Sequence, residues 1–423
     1  MRQYKDSGIE WIGRIPENWE VLQVRRIMRN RSERNQPNAM VLSLYRDLGI
    51  VPKESRDDNH NVTSEDTACY KVVSKGNFVI NKMKAWQGSM AVSEYDGIVS
   101  PAYYVCNFTR EVHKKYIHYL LRDDSYKPEY TRLSTGMRIG QWDLNIDDFL
   151  RIKAIIPPLS EQQRIADYLD EKCGEIDSLI GLQEQMIEKL KAYKQSVITE
   201  AVTKGLNPRS APTGTLRSAK NTKLVPSGID WIGEIPSHWD IIKIGFIFIN
   251  MDYLREPISA ELRERNNPQY DYYGASGIID KINHYNVEDK VLLIGEDGAN
   301  LVMRNLPLIY KAEGKFWVNN HAHILKPRKD NYDFMAHALE ACNYRDYITT
   351  GSAQPKLSQE NLSRVQLPVP PLSEQQAIAS YLDDKCSEID NLIAVKQQKI
   401  EKLKDYKKSV IYEAITGKTD LRE

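Results

Sequence analysis

The chain has no long apolar run. The longest, Ile244–Ile249 (IGFIFI), follows Lys243 and is far short of the ~20 residues that cross a bilayer. No charged-then-apolar leader opens it, so no membrane association is expected and the cytoplasm is the expected location. Cysteine is scarce. There are five, an odd number with no Cys-x-x-Cys pair, which argues against a disulfide framework and against a thiolate zinc site. Excess charge of one sign is also missing, because 58 basic residues face 58 acidic ones. That excludes a polycation held on nucleic acid by bulk charge. The balance is local, however. Residues 21–156 carry 21 bases and 16 acids, for +5, and residues 241–368 carry 15 and 16, for −1. A polyanion would therefore have to be met by local placement or with help from a partner.

What is present is ordinary globular material, 41% apolar and 27% charged, over 423 residues. That length suggests two or three domains. The chain contains itself twice. SGIEWIGRIPENWE (Ser7–Glu20) returns as SGIDWIGEIPSHWD (Ser227–Asp240), and PPLSEQQ returns from Pro157 at Pro370. Residues 157–205 and 370–418 share 33 identities in 49 positions, which marks a duplication. The blocks between the repeats are similar in length but differ in sequence. The expected division is a first block at 1–157, its helix at 158–204, a linker at 205–225, a second block at 226–369, its helix at 370–417 and a tail at 418–423.

Each repeated segment reads as a long helix. Pro157-Pro158 stops any helix running in, and Ser160 with Gln163 has the spacing of a capping box, as do Ser373 and Gln376. A seam at 4-3 spacing follows: Leu169, Cys173, Ile176, Ile180, Gln183, Ile187, Leu190, Lys194, Val197, Ala201. The copy gives Leu382, Cys386, Ile389, Ile393, Lys396, Ile400, Leu403, Lys407, Val410, Ala414. This is a coiled-coil pattern in one register. Both helix starts are acidic: Glu161–Asp177 and Glu374–Asp390 are each −4. The distal halves are more basic, at +1 for Glu184–Lys204 and +4 for Lys396–Lys418. Antiparallel pairing sets acid beside base, and parallel pairing does not. The fold class expected is α+β. Two globular mixed α/β blocks are joined by two long antiparallel coiled-coil helices, with a pseudo-twofold internal repeat. Asn77–Asn81 and Lys290–Gly295 are strand-like runs, and Tyr116–Arg122 and Asp333–Cys342 read as helical.

The layout resembles the DNA-specificity subunit of type I restriction–modification systems. The paired WIGxIPxxW openings and paired PPLSEQQ helix starts carry the resemblance. So do NKMKAWQGSM (Asn81–Met90), GIVSPAYYV (Gly97–Val105), YYGASGIIDKIN (Tyr272–Asn283), LLIGEDGAN (Leu292–Asn300) and WVNNHAHIL (Trp317–Leu325). The resemblance implies two target recognition domains, each reading one half of a bipartite double-stranded DNA site. It implies helices that hold two modification subunits, which bind S-adenosylmethionine and methylate adenine. It also implies restriction subunits that cleave DNA with ATP and magnesium, and a chain with no cofactor of its own. A split site needs two different readers on a rigid spacer, which is what the repeat pattern describes independently.

Base-reading and phosphate-binding residue types beside glycine are the candidate DNA contacts. In the first block these are Lys82, Lys84, Trp86 and Gln87, with Arg138 and Gln141 between Gly136 and Gly140. Arg25 and Arg26 open an arginine-rich run to Arg34, read as a solvated helical face or a phosphate-contacting one. In the second block they are Tyr272, Tyr273, Ser276, Lys281, Asn319, Asn320, His321 and Lys356. His321 and His323 alternate and could share a face, but two histidines make a poor metal site. Trp86 could equally be core. Trp11, Ile15 and Trp19, with copies Trp231, Ile235 and Trp239, read as packing. Catalytic motifs are missing. Both Pro-Pro pairs open helices and lack the methylase loop pattern. Gly417-Lys418-Thr419 has Tyr412 where a phosphate loop needs glycine. Glu313-Gly314-Lys315 has no Pro-Asp upstream. The chain reads as non-catalytic by itself. The rival readings are the recognition portion of a self-contained methylase, which lacks its methylase domain, and a coiled-coil scaffold, which leaves the divergent blocks unexplained.

Antiparallel pairing with Leu169 opposite Ala414 separates the equivalent cysteines Cys173 and Cys386 by roughly 36 Å, from about 24 residues of helix rise. Mild oxidation of the chain is expected to give no Cys173–Cys386 disulfide by mass spectrometry. Such a bridge would refute the antiparallel reading.

Overall fold

The computed structural model describes residues 2–36, 38–46, 48–55, 67–136, 142–206, 223–259, 269–348 and 356–421. It divides into two compact units, Met1–Glu184 with Gln397–Glu423, and Gln185–Lys396. Each unit holds one variable block, the start of one long helix and the end of the other.

Both units open with the same hairpin. Tyr4–Asp6 pairs with Arg14–Pro16 in the first, and Leu224–Pro226 with Glu234–Pro236 in the second. The connecting loop is closed by Ser7 N–H on Gly13 O and Gly13 N–H on Ile9 O, repeated at Ser227, Gly233 and Ile229. Gly8 and Gly13 sit at positive φ, as do Gly228 and Gly233. The loop needs those left-handed turns, which glycine adopts without a Cβ penalty. A strand then runs back along the block's last strand: Glu20–Gln23 against Lys153–Ile156, and Asp240–Lys243 against Gln366–Val369. Each variable block is thus an insertion between two paired strands of a common frame.

The inserted sheets differ. The first unit has a four-stranded antiparallel sheet in the order Met28–Asn30, Tyr103–Phe108, Phe78–Asn81, Met90–Val92. The second has six strands in the order Phe248–Asn250, Ala322–Pro327, Val287–Gly295, Ile309–Val318, Tyr270–Gly274, Gly277–Ile282, with one parallel pair at Asp271↔Phe316. Helices Lys114–Arg122 and Tyr332–Ala341 lie where the sequence reads helical. The strand-like runs meet the strands Phe78–Asn81, which leaves Asn77 outside, and Val287–Gly295, which begins three residues earlier than the run.

The two long helices are Leu159–Lys204 and Leu372–Ile415, 46 and 44 residues. At ~1.5 Å per residue each is roughly 65–70 Å long. All ten seam positions are buried or half-buried in both. The helix halves within each unit run antiparallel. In the first unit Asp177 bonds Lys407 at 2.7 Å, and Trp19 bridges Glu161 and Gly417 at the far end. In the second, Asp390 bonds Lys194 at 2.7 Å, and Trp239 bridges Glu374 and Gly205. The acidic starts thus meet the basic ends, as the charge pattern requires.

Two local readings are corrected. The residue that fastens each helix start is the first glutamine of the motif, not a Ser160–Gln163 box. Gln162 Nε2 donates to Pro157 O, and its Oε1 accepts from His113 N–H, the residue capping Lys114–Arg122; Gln163 turns to Asp167 instead. Gln375 repeats this on Pro370 O and Asn331 N–H. The arginine-rich run is not a helical face. Val24–Arg26 is one 3-10 turn and Met28–Asn30 is an edge strand, because the Ile27 amide closes on Val24 O and the chain then joins the sheet.

Glu161 accepts the Trp19 indole N–H at 3.0 Å and pairs with Arg2, both charges almost wholly buried (6% and 4% exposed). Its copy Glu374 holds Trp239 and a more exposed partner, His238 (41% and 22%). Glu161→Ala leaves a buried guanidinium with only the more exposed Asp420, at 3.5 Å, as a charged partner among the described residues and strands an indole N–H, and is expected to lower unfolding stability by about 3 kcal/mol. Glu374→Ala is expected to cost about 1 kcal/mol, since solvent replaces part of the lost pairing. Denaturant melts of both variants check the difference, and equal losses would contradict it.

Candidate nucleic-acid interface

In the first unit, strand Phe78–Asn81 ends in a compact turn. Asn81 accepts the amides of Met83 on its side chain and Lys84 on its carbonyl. The 3-10 turn Ala85–Gln87 follows and closes on Gly88, which sits at φ 79°. This turn brings Lys82, Lys84, Trp86 and Gln87 together. Lys84 is exposed, while Lys82 is half-buried with its ammonium 3.6 Å from Asp143. Gln87 accepts from Arg46 at 2.8 Å. Trp86 is half-buried and packs on Trp142 at 5.3 Å between ring centroids. Arg25 and Arg26 are exposed, on a turn tied to the frame by Val24 N–H on Ile152 O. Arg138 and Gln141 lie outside the described residues.

In the second unit, one corner gathers most of the candidates. The hairpin turn Gly274–Gly277 carries exposed Ser276, and its Ala275 carbonyl approaches Gly295 so closely that a Cβ there would stand 2.6 Å away. Gly295 ends the central strand and hands on to Glu296, whose amide bonds His321 O. Asn319 Oδ1 holds the His321 amide at 2.8 Å, shaping the turn Asn319–Asn320–His321. Lys356 pairs with Glu296 at 3.5 Å, and Arg255 ties Glu296 to Asn320 O. Ser276, Asn320, His321 and Lys356 therefore share one polar corner, with Asn319 buried as its brace. Lys281 lies along the hairpin, 3.3 Å from Asp271.

Two sequence candidates have other surroundings. Tyr272 is 1% exposed, with its hydroxyl bonded to the Ile258 backbone. Tyr273 packs its ring edge-on against Phe316. Both belong to the core of their strand. His321 and His323 do not share a face: His321 faces Asp297, and His323 is buried. His323 Nδ1 is hydrogen-bonded to Asp252 at 2.6 Å, and Nε2 donates to Leu357 O at 2.8 Å, since a backbone carbonyl only accepts. Asp252, Arg255 and Glu296, which hold the corner, were not candidates. The Gly-Glu-Asp-Gly stretch was the available signal for Glu296, whereas Asp252 and Arg255 are distant in sequence from what they bind.

Burial alone would raise the Asp252 carboxyl, but the His323 hydrogen bond and charge, the Ile324 amide and Arg255 outweigh it, and its pKa falls below the usual value. A depressed carboxyl adds stability that is present above its unfolded value of about 3.9 and is lost as pH falls through the folded value. The second unit is expected to lose thermal stability below about pH 4, and Asp252→Asn is expected to remove that part of the pH dependence. Calorimetric melts between about pH 3 and 6 check this, and an unchanged slope in the variant would contradict it.

The domain described as "Type I restriction modification DNA specificity domain" matches residues 16–192 and again 236–405. The chain is 24% identical to the type I restriction enzyme MjaVIII specificity subunit of Methanocaldococcus jannaschii, over 99% of this chain and 97% of that protein. It is 24% identical to the EcoKI specificity subunit of Escherichia coli, over 57% of this chain and 55% of that one. A chain from a solved type I R-M system, 14% identical, shares the fold with a TM-score of 0.67, covering 96% of this chain and 99% of its own. The two copies of the frame are two copies of that domain, and the chain belongs to the type I restriction–modification DNA-specificity family.

Proposed function

We propose that this chain is the non-catalytic DNA-recognition and assembly subunit of a cytoplasmic type I restriction–modification complex. The first unit reads one half of a bipartite site through the turn Lys82–Gln87. The second reads the other half through the corner at Ser276, Asn320, His321 and Lys356. The observation that carries this reading is one frame used twice with two different insertions, since the shared part holds and the unshared part discriminates. Among the described residues no helix is long and apolar enough to cross a membrane.

The long helices are the dock for two modification subunits. Their outward positions support this. Leu179 and Leu182 stand about half exposed in the first unit and Leu392 and Val395 in the second, at matching repeat positions. Tyr406 and Tyr193 are likewise exposed near the level of Leu179 and Leu392, by the register that pairs Asp177 with Lys407 and Asp390 with Lys194. Apolar side chains at heptad spacing outside a seam suit further helices packing on it. Adenine methylation with S-adenosylmethionine, and ATP- and magnesium-dependent cleavage, belong to the partners.

Replacing residues 241–368 by the corresponding block of another family member tests the reading. In complex with modification subunits, the chimera is expected to keep one half-site and change the other in methylated-adenine sequencing. Simultaneous change of both halves, or of neither, would overturn the two-reader assignment.

A further inference from the structure

Lys71, in strand Lys71–Val73, is 8% exposed. Its ammonium donates to Tyr103 O and stands 5.2 Å over the Tyr104 ring, both neutral partners. Two more cations converge on it. Glu33 O accepts the Val72 amide at 2.8 Å, which brings the adjacent Arg34 to this strand. The Lys82 amide donates to Ala102 O at 3.1 Å, one residue from the carbonyl that Lys71 uses. Arg34 is exposed and Lys82 half-buried. Among the described residues acids do not balance the group. Asp143 lies 3.6 Å from Lys82, and Glu33 is paired with Arg31. Burial, then Arg34, then Lys82 lower the proton affinity of Lys71, so the cations work against one another. Among the described residues, one acid against three bases leaves a local excess of two positive charges around the buried Lys71.

We infer that Arg34, Lys71 and Lys82 form a seat for a phosphodiester of the DNA backbone at the base of the first unit's reading turn. Arg34 and Lys82 contact phosphate oxygens, and Lys71 adds its charge from beneath. Such a contact positions the duplex and carries no sequence information itself, so it complements the neighbouring base-reading side chains Lys84 and Gln87. The inference rests on the reading that the first unit meets DNA.

The test uses the complex with modification subunits and measures affinity for target and non-target duplexes over a range of salt. Arg34→Gln and Lys82→Gln are each expected to weaken both duplexes several-fold alike, and to flatten the slope of log K against log salt by about 0.9. Lys71→Met is expected to weaken both alike and to flatten the slope in the same direction. Arg132→Gln, paired locally with Glu129, is expected to leave the slope unchanged. Unaltered slopes in all three variants, in a complex that still prefers its target, would remove the seat and leave the DNA reading standing. Weaker binding at unaltered slope would assign Lys71 a structural role and overturn the proposal. Calorimetry with inorganic phosphate separates the sources: binding of phosphate lost in the variants, without a change in DNA slope, would make this a free-phosphate site and overturn the proposal. Failure of the unaltered complex to prefer any DNA site would overturn the DNA reading, and the seat with it.

Discussion

The structure depends on a buried polar clasp at the start of each long helix. A Pro-Pro pair ends the block's last strand, and the next residues turn straight into the helix. Glu161 and Glu374 reach back to the tryptophan of the opening hairpin, and Gln162 and Gln375 reach across to the cap of a short helix in the variable block. Glu161, Gln162 and Gln375 are buried and Glu374 is partly so, and such groups are costly unless partnered. One short motif therefore fixes three things together: where the helix begins, where the hairpin sits on it, and how the block's own helix is aimed. The same tryptophans also meet the incoming end of the other long helix at Gly417 and Gly205, both at positive φ. A side chain at Gly417 would lie 2.6 Å from Pro16, so the close approach needs glycine for space as well as for conformation.

Electrostatics then selects direction. A heptad seam by itself permits parallel or antiparallel pairing. The ion pairs Asp177–Lys407 and Lys194–Asp390 are half-exposed and individually worth little. Their value is in discrimination, since parallel pairing would set acidic start against acidic start. The stabilising work is apolar. Leu169 buries with Val410 and Ala414 in the first unit, and Leu382 with Val197 and Ala201 in the second, continuous in each case with the core of the block.

The parts legible in the sequence are those governed by local periodicity. The long helices, their seam and their direction follow from 3.5-residue spacing and from charge along one helix, information that sits within a few turns. The helix start was misread because Ser-x-x-Gln spacing fits a capping box, while the partners of Gln162 and Gln375 lie 49 and 44 residues away. The sheets show the same limit. Asn77–Asn81 and Lys290–Gly295 read as strands, but nothing local tells that Tyr270–Gly274 will run parallel to Ile309–Val318. Tyr272 and Tyr273 sit beside glycines, which makes them candidates for DNA contact by residue type, yet they alternate in a strand whose neighbours cover both faces. Asn320, His321 and Lys356 were nameable by residue type, but their meeting in one corner depends on Glu296 and Arg255, which only the tertiary fold brings there.

The corresponding positions of the two units show what the frame leaves free. Arg25, Arg26 and Arg29 of the first unit correspond to Gly245, Phe246 and Ile249 of the second, on turns and edge strands that follow the same frame strand. The inward residues of these turns stay apolar in both copies, Val24 and Ile27 against Ile244 and Ile247. The outward ones change from cationic to apolar, with Phe246 largely exposed. Packing thus constrains one side of each turn and leaves the other side to chemistry. The same division explains why the blocks can differ by +5 against −1 in charge without disturbing the frame. Stability resides in the clasp, the paired strands and the seam, and the surfaces carried between them can diverge because little of the fold's free energy depends on them.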